Sequence, residues 1–157
     1  MKTLMTSSLL ATTLLFSAQA PAGEDPKVAA EVIALVRAEW AADTAGKPAA
    51  EQMVAAADDM TEFNPDFPTR IDGKDVNMRL TDGNSTGAGK RVAAEMLNPK
   101  VQVYGDTAIL TYNYAGVTLG KDGKTTPSLA KTTRVFVKMN GKWMQVHANF
   151  APAADKF

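Results

Sequence analysis

Thr132-Thr-Arg-Val-Phe-Val-Lys-Met-Asn-Gly-Lys-Trp-Met-Gln-Val-His-Ala-Asn-Phe150 holds two β-branched and aromatic runs joined at Asn140-Gly141. Asn-Gly between such runs signals a tight hairpin, because a type I′ turn needs positive φ at both central residues. The pattern predicts a strand over 129–139, a turn, and a strand over 142–150. The only histidine of the chain, His147, lies on the second strand; Trp143 starts that strand, and Arg134 sits midway along the first. Any site in the protein is expected to use this hairpin as a wall.

Strand signals continue upstream. Arg91 to Tyr104 is a long run interrupted at Asn98-Pro99, which predicts a bulge or bend. Gly105-Asp106 predicts a turn, and Thr107 to Leu119 alternates Leu110, Tyr112 and Tyr114 with Ile109, Thr111 and Asn113. Gly120 to Gly123 predicts a further turn. Before these strands the signals are helical. Val28, Val32, Leu35, Val36 and Trp40 recur at three- and four-residue steps, predicting a helix over Pro26 to Ala45 capped by Asp25. Pro48 opens a second short helix, expected to run to Asp58, and Asp72 to Leu80 reads as a third. Between them lies a short extended run, Met60 to Asn64, stopped by Pro65. Asp82 to Gly89 is glycine-rich, but no strand leads into it and no Gly-Lys-Ser or Gly-Lys-Thr follows, so it reads as a linker rather than a phosphate cradle. Helices followed by a meander of four long strands predict an α+β fold, with the helices on one face of a strongly bent, mostly antiparallel sheet. The tail from Pro152 to Phe157 is expected to be loose.

Bulk composition narrows the function classes. The chain has 157 residues, enough for one domain, with 45% hydrophobic and 22% charged residues, ordinary for a soluble globular protein. A formal net charge of +0 suggests neither nucleic-acid nor anionic-membrane binding. With no cysteine there is no disulfide, thiol nucleophile or cysteine-ligated metal. A single histidine without an acidic cluster argues against zinc, so neither metal nor cofactor is expected. Residues 1–22 read as a signal peptide: Lys2 precedes an apolar run from Leu9 to Phe16 and small residues from Ser17 to Gly23, with cleavage after Ala20 or Ala22. The apolar run is too short to span a bilayer. The expected mature chain, 23–157, forms one domain with a periplasmic or secreted address.

Four spaced motifs carry a resemblance. Leu97-Asn-Pro-Lys-Val-Gln-Val-Tyr-Gly105, Thr133-Arg-Val-Phe136, Asn140-Gly-Lys-Trp143 with Val146-His147, and Glu62-Phe-Asn-Pro65 followed by Gly73 occur in that family's pattern. Together they resemble the association domain of calcium/calmodulin-dependent protein kinase II, within the nuclear transport factor 2-like, or SnoaL-like, superfamily. The resemblance implies a cone-shaped half-barrel with a pocket between sheet and helices, and a domain that associates with itself. It does not bring kinase function, since the chain has no kinase domain.

The candidate site residues follow from placement and resemblance together. Arg134 matches the family's pocket arginine, whose planar donor fork suits a carboxylate. Alternation with Val135, Val137 and Met139 places it instead on the opposite face from the apolar set, so both positions stay open. Tyr112, Tyr114, Phe63, Trp40 and Phe150 complete the expected pocket. By the same alternation His147 shares a face with Trp143, Gln145 and Asn149, opposite Met144, Val146, Ala148 and Phe150. His147, Trp143 and Asn149 are thus expected at an interface. Where the family has a second histidine and then an arginine, this chain has Asn149 and Phe150, which removes polar groups from the site. The resulting expectation is an assembling domain that binds a small organic molecule, with a carboxylate as one candidate. The alternative is a SnoaL-like isomerase, cyclase or hydrolase in which Glu62 is the base and Tyr112 and Tyr114 are donors.

Overall fold

Asp25 starts the first helix: its carboxylate accepts from the N–H groups of Lys27 and Val28 at 2.9 and 3.1 Å, and Pro26 follows at the first helical position. Helix α1 (Pro26–Thr44) is the first element in the computed structural model, which describes residues 23–85 and 89–153. Its Val32, Val36 and Trp40 are buried at four-residue steps. Gly46, at φ 69°, ends the helix in the left-handed region.

The second helix is shorter than the sequence predicts. Helix α2 (Ala49–Gln52) makes a single turn, and strand β1 already begins at Ala56 and runs to Phe63. Alanine-rich sequence favours a helix here, but pairing with the last strand overrides that preference. Gln145 donates its backbone N–H to the Ala55 carbonyl at 2.7 Å, and Ala56 to Phe63 then lie parallel to the last strand. A two-residue strand, β2 (Ile71–Asp72), pairs with β1 and has no sequence signal of its own. Helix α3 (Lys74–Ser85) extends past Leu80 into the expected linker. Residues 86–88 of that linker, and the predicted signal peptide 1–22, lie outside the described residues.

The long strands β3 (Lys90–Tyr104), β4 (Thr107–Leu119), β5 (Thr125–Met139) and β6 (Lys142–Pro152) form an antiparallel meander. The sheet order is β2-β1-β6-β5-β4-β3, with β1–β6 the one parallel pair. Asn140 and Gly141 have φ of 52° and 80°, as the type I′ turn requires. Asn98 sits at φ 51° where the β3–β4 register shifts, the irregularity expected at Asn98-Pro99. Pro152 pairs with Ala130, so the tail begins one residue later than expected; residues 154–157 lie outside the described residues. These irregularities bend the sheet into the α+β half-barrel, whose inner face receives α1. The core joins Val32 and Val36 to Val101, Leu110, Phe136 and Trp143.

One irregularity decides which side chains meet. Val135 pairs with His147 and Phe136 with Gln145, leaving Val146 as an extra residue in β6. An extra residue reverses the alternation beyond it. Trp143 and Gln145 therefore share the inner face with Ala148 and Phe150, while His147 and Asn149 turn outward. This corrects the expectation that Trp143 stands beside His147 and Asn149 at an interface: its ring is buried in the core.

Candidate functional site

Arg134 faces inward between Thr132 and Phe136 on β5, all three buried. The parity read from the sequence is right, but the side assigned to the core is not: Val135 and Val137 line the outer face. The guanidinium is 3% exposed and almost fully engaged. Nε donates to the Tyr112 hydroxyl at 3.1 Å, NH1 to Gln145 Oε1 at 2.7 Å, and NH1 and NH2 to Glu39 Oε2 and Oε1 at 2.5 and 3.0 Å. The Phe150 ring lies 5.3 Å from its centre. Burial works against the charge, but the Glu39 carboxylate and the bonds to Glu39 and Tyr112 outweigh it, holding the guanidinium protonated above its ordinary range. Burial also raises the Tyr112 hydroxyl, against the pull of the Arg134 charge. The Thr132 hydroxyl adds a smaller pull on Tyr112, yet meets no partner in hydrogen-bonding geometry.

A cavity of about 310 Å³ opens between this group and the helices. Trp40 stands edge-on to Tyr112 and Tyr114, with ring centroids 5.7 and 5.5 Å apart. Arg91 lies 5.6 Å above the Tyr114 ring and pairs with Asp43 at 3.1 Å. A smaller space of about 90 Å³ adjoins it and shares Glu39, Glu62 and Arg134. Glu62 is 8% exposed, held by Asn77 Nδ2 at 2.8 Å and Asn64 Nδ2 at 3.1 Å. Among the described residues no group of three or more His, Cys, Asp or Glu is arranged to hold a metal ion.

The structure thus brings Arg134, Tyr112, Tyr114, Trp40 and Phe150 to one cavity, with Glu62 on its far wall. Phe63 does not join them. It follows Glu62 on a strand and so points to the opposite face, 48% exposed and edge-on to His147 at 5.9 Å. His147 Nδ1 is 2.8 Å from Thr61 Oγ1 on that outer face, and Asn149 is exposed nearby. Glu39, Gln145 and Asn77 were not singled out from the sequence. Glu39 had a readable signal: it lies four residues after Leu35 and seven after Val32, an acid on the apolar stripe of α1. Gln145 and Asn77 had none, because their role depends on the bulge and on the packing of α3.

The family profile of the calcium/calmodulin dependent protein kinase II association domain matches residues 28–154. The chain belongs to this family. Solved structures from this family and from nuclear transport factor 2-like proteins share the architecture described above. The hub homology domain of this kinase from Chlamydomonas reinhardtii aligns with TM-score 0.68 and 25% identity, over 81% of this chain and 99% of that one. The association domain from C. elegans aligns with TM-score 0.65 and 22% identity, over 80% and 96%. A nuclear transport factor 2-like protein from Pseudomonas putida KT2440 reaches TM-score 0.71 at 17% identity, over 85% and 92%. No curated protein matches the chain. In this association domain, the arginine expected in the pocket is already paired within the protomer.

Proposed function

We propose that this association domain is exported, assembles through the outer face of its sheet, and binds a small organic molecule in the cone cavity. The observation that carries the assembly is the apolar character of that outer face. Ile109, Val135 and His147 lie abreast on neighbouring strands, as do Thr107, Val137 and Met144. All six are only partly covered by their own protomer. An apolar alternation that the described residues of its own chain leave partly uncovered suits a second copy. The likeness to a hub domain supports the same reading. The cavity, walled by aromatic rings and floored by a satisfied polar cluster, has the character of a small-molecule site. The leader pattern in residues 1–22 supports export.

Native mass spectrometry of the mature protein, purified without added ligand, tests both parts. A dimer or larger ring with retained small-molecule mass is expected. A monomer overturns the assembly, and a ring that neither retains nor accepts any small molecule overturns the ligand site.

One observation favours an enzyme as the second reading: Glu62 is a buried acid on the cavity wall. Tyr112, however, is committed to Arg134 rather than to Glu62. Glu62-dependent hydrogen exchange at a carbon next to a ketone, lost in Glu62→Gln, would mark the enzyme.

A further inference from the structure

We infer that the cavity takes a small organic cation, a primary ammonium, with Glu62 as its counter-charge. This rests on the ligand-binding part of the proposed function and names the class of ligand. The distribution of charge leads there. Two arginines and four acids line the cavity. Both arginines are already neutralised, Arg134 by Glu39 and Arg91 by Asp43. A carboxylate entering with two-point geometry would have to displace Glu39 from the guanidinium fork.

Glu62 stands differently. It is as buried as the core, and its two hydrogen-bond donors are neutral carboxamides, Asn64 and Asn77. No described cation lies within ion-pairing distance of it. Strand register explains why Arg134 does not serve. Glu62 pairs with Ala148, and Ala148 with Arg134, so two strand spacings separate them, roughly 10 Å. Ala148 between them offers only a methyl group, which leaves the space open. A carboxylate has about four acceptor positions, of which the carboxamides use two. Burying such a group without a counter-charge is costly, and a cation in the cavity removes that cost.

The remaining walls suit the same guest. An ammonium brings three donors, enough for the acceptor positions of Glu62 that the carboxamides leave open. Trp40, Tyr112, Tyr114 and Phe150 supply rings that favour a desolvated cation.

The test compares three probes of matched size on the whole mature protein at pH 7 by isothermal titration: n-butylammonium, butyrate and 1-pentanol. Butylammonium is expected to bind at least tenfold more tightly than butyrate, and Glu62→Gln to weaken it at least tenfold while leaving pentanol unchanged. The comparison of probes on the unaltered protein does not depend on the variant folding. Butyrate or pentanol binding more tightly than butylammonium overturns the cation and leaves the small-molecule site standing. Binding of none of the three by the folded protein overturns both.

Discussion

Arg134 and Glu39 form a two-point ion pair between β5 and α1, with the guanidinium sealed in the sheet and the carboxylate about one-third exposed at the cavity rim. The pair ties the long helix to the inner face of the sheet, and it satisfies a charge that burial would otherwise make prohibitive. Tyr112 and Gln145 take two further donors, so the guanidinium is held from both neighbouring strands as well.

Removing the carboxylate alone should therefore be costly. Glu39→Ala leaves a buried cation with only neutral partners. A loss of about 3 kcal/mol is expected, the low end for a broken buried pair because Glu39 reaches solvent. Replacing both partners, as Glu39→Leu with Arg134→Met, should recover most of that loss. Urea unfolding of the two proteins measures the difference. Equal losses in the single and double variants would show that the pair is not what holds helix to sheet.

Tyr112 makes the fold sensitive to alkali. Its hydroxyl is raised above the ordinary 10.0, chiefly by burial, so the folded chain keeps this proton to higher pH than the unfolded chain. That contribution is complete below pH 10 and declines as pH rises through the folded value. Tyr112→Phe should flatten the decline in stability above pH 10. Near neutrality it should cost about 2 kcal/mol, the worth of a hydrogen bond to a charged group. Unfolding midpoints measured from pH 8 to 11 check both; an unchanged alkaline slope would remove Tyr112 as its source.

Gly116 is the floor on which Tyr114 lies. A β-carbon at 116 would collide with the Tyr114 hydroxyl and its ring, with Cε1 at 2.8 Å. Gly116→Ala should push the ring off Trp40 and cost about 1–3 kcal/mol through overpacking. Trp40 fluorescence and thermal unfolding report the shift. Adding Tyr114→Leu should make the alanine nearly harmless, and additive losses would contradict this packing.

Sequence periodicity made the meander, α1 and the Asn140-Gly141 turn legible, because each follows from residues close together in the chain. What it missed depends on distant contacts. Ala56 to Asp59 is helix-prone by composition and becomes a strand only because β6 lies beside it. The bulge at Val146 has no local signature, and it alone decides that Trp143 points inward and His147 outward. Arg134 was legible as a pocket candidate only through the family resemblance. Alternation by itself pointed to the wrong side, because this sheet carries apolar side chains on both faces.

That two-sided apolar character yields the last prediction. Val135 lies at the centre of the outer face, between Ile109 and His147 on neighbouring strands. In the protomer it is half-buried and clear of the core, so Val135→Glu should leave the fold intact. In an assembly the same carboxylate would meet its own copy, or an apolar patch, across the interface, and an unpaired buried charge there costs several kcal/mol. The variant should run as a monomer on native mass spectrometry, with the far-ultraviolet circular dichroism of the unaltered protein. Arg37→Glu, on the exposed side of α1 away from this face, should assemble normally. If Val135→Glu forms the same oligomer as the unaltered chain, the copies meet elsewhere and the outer face serves another partner.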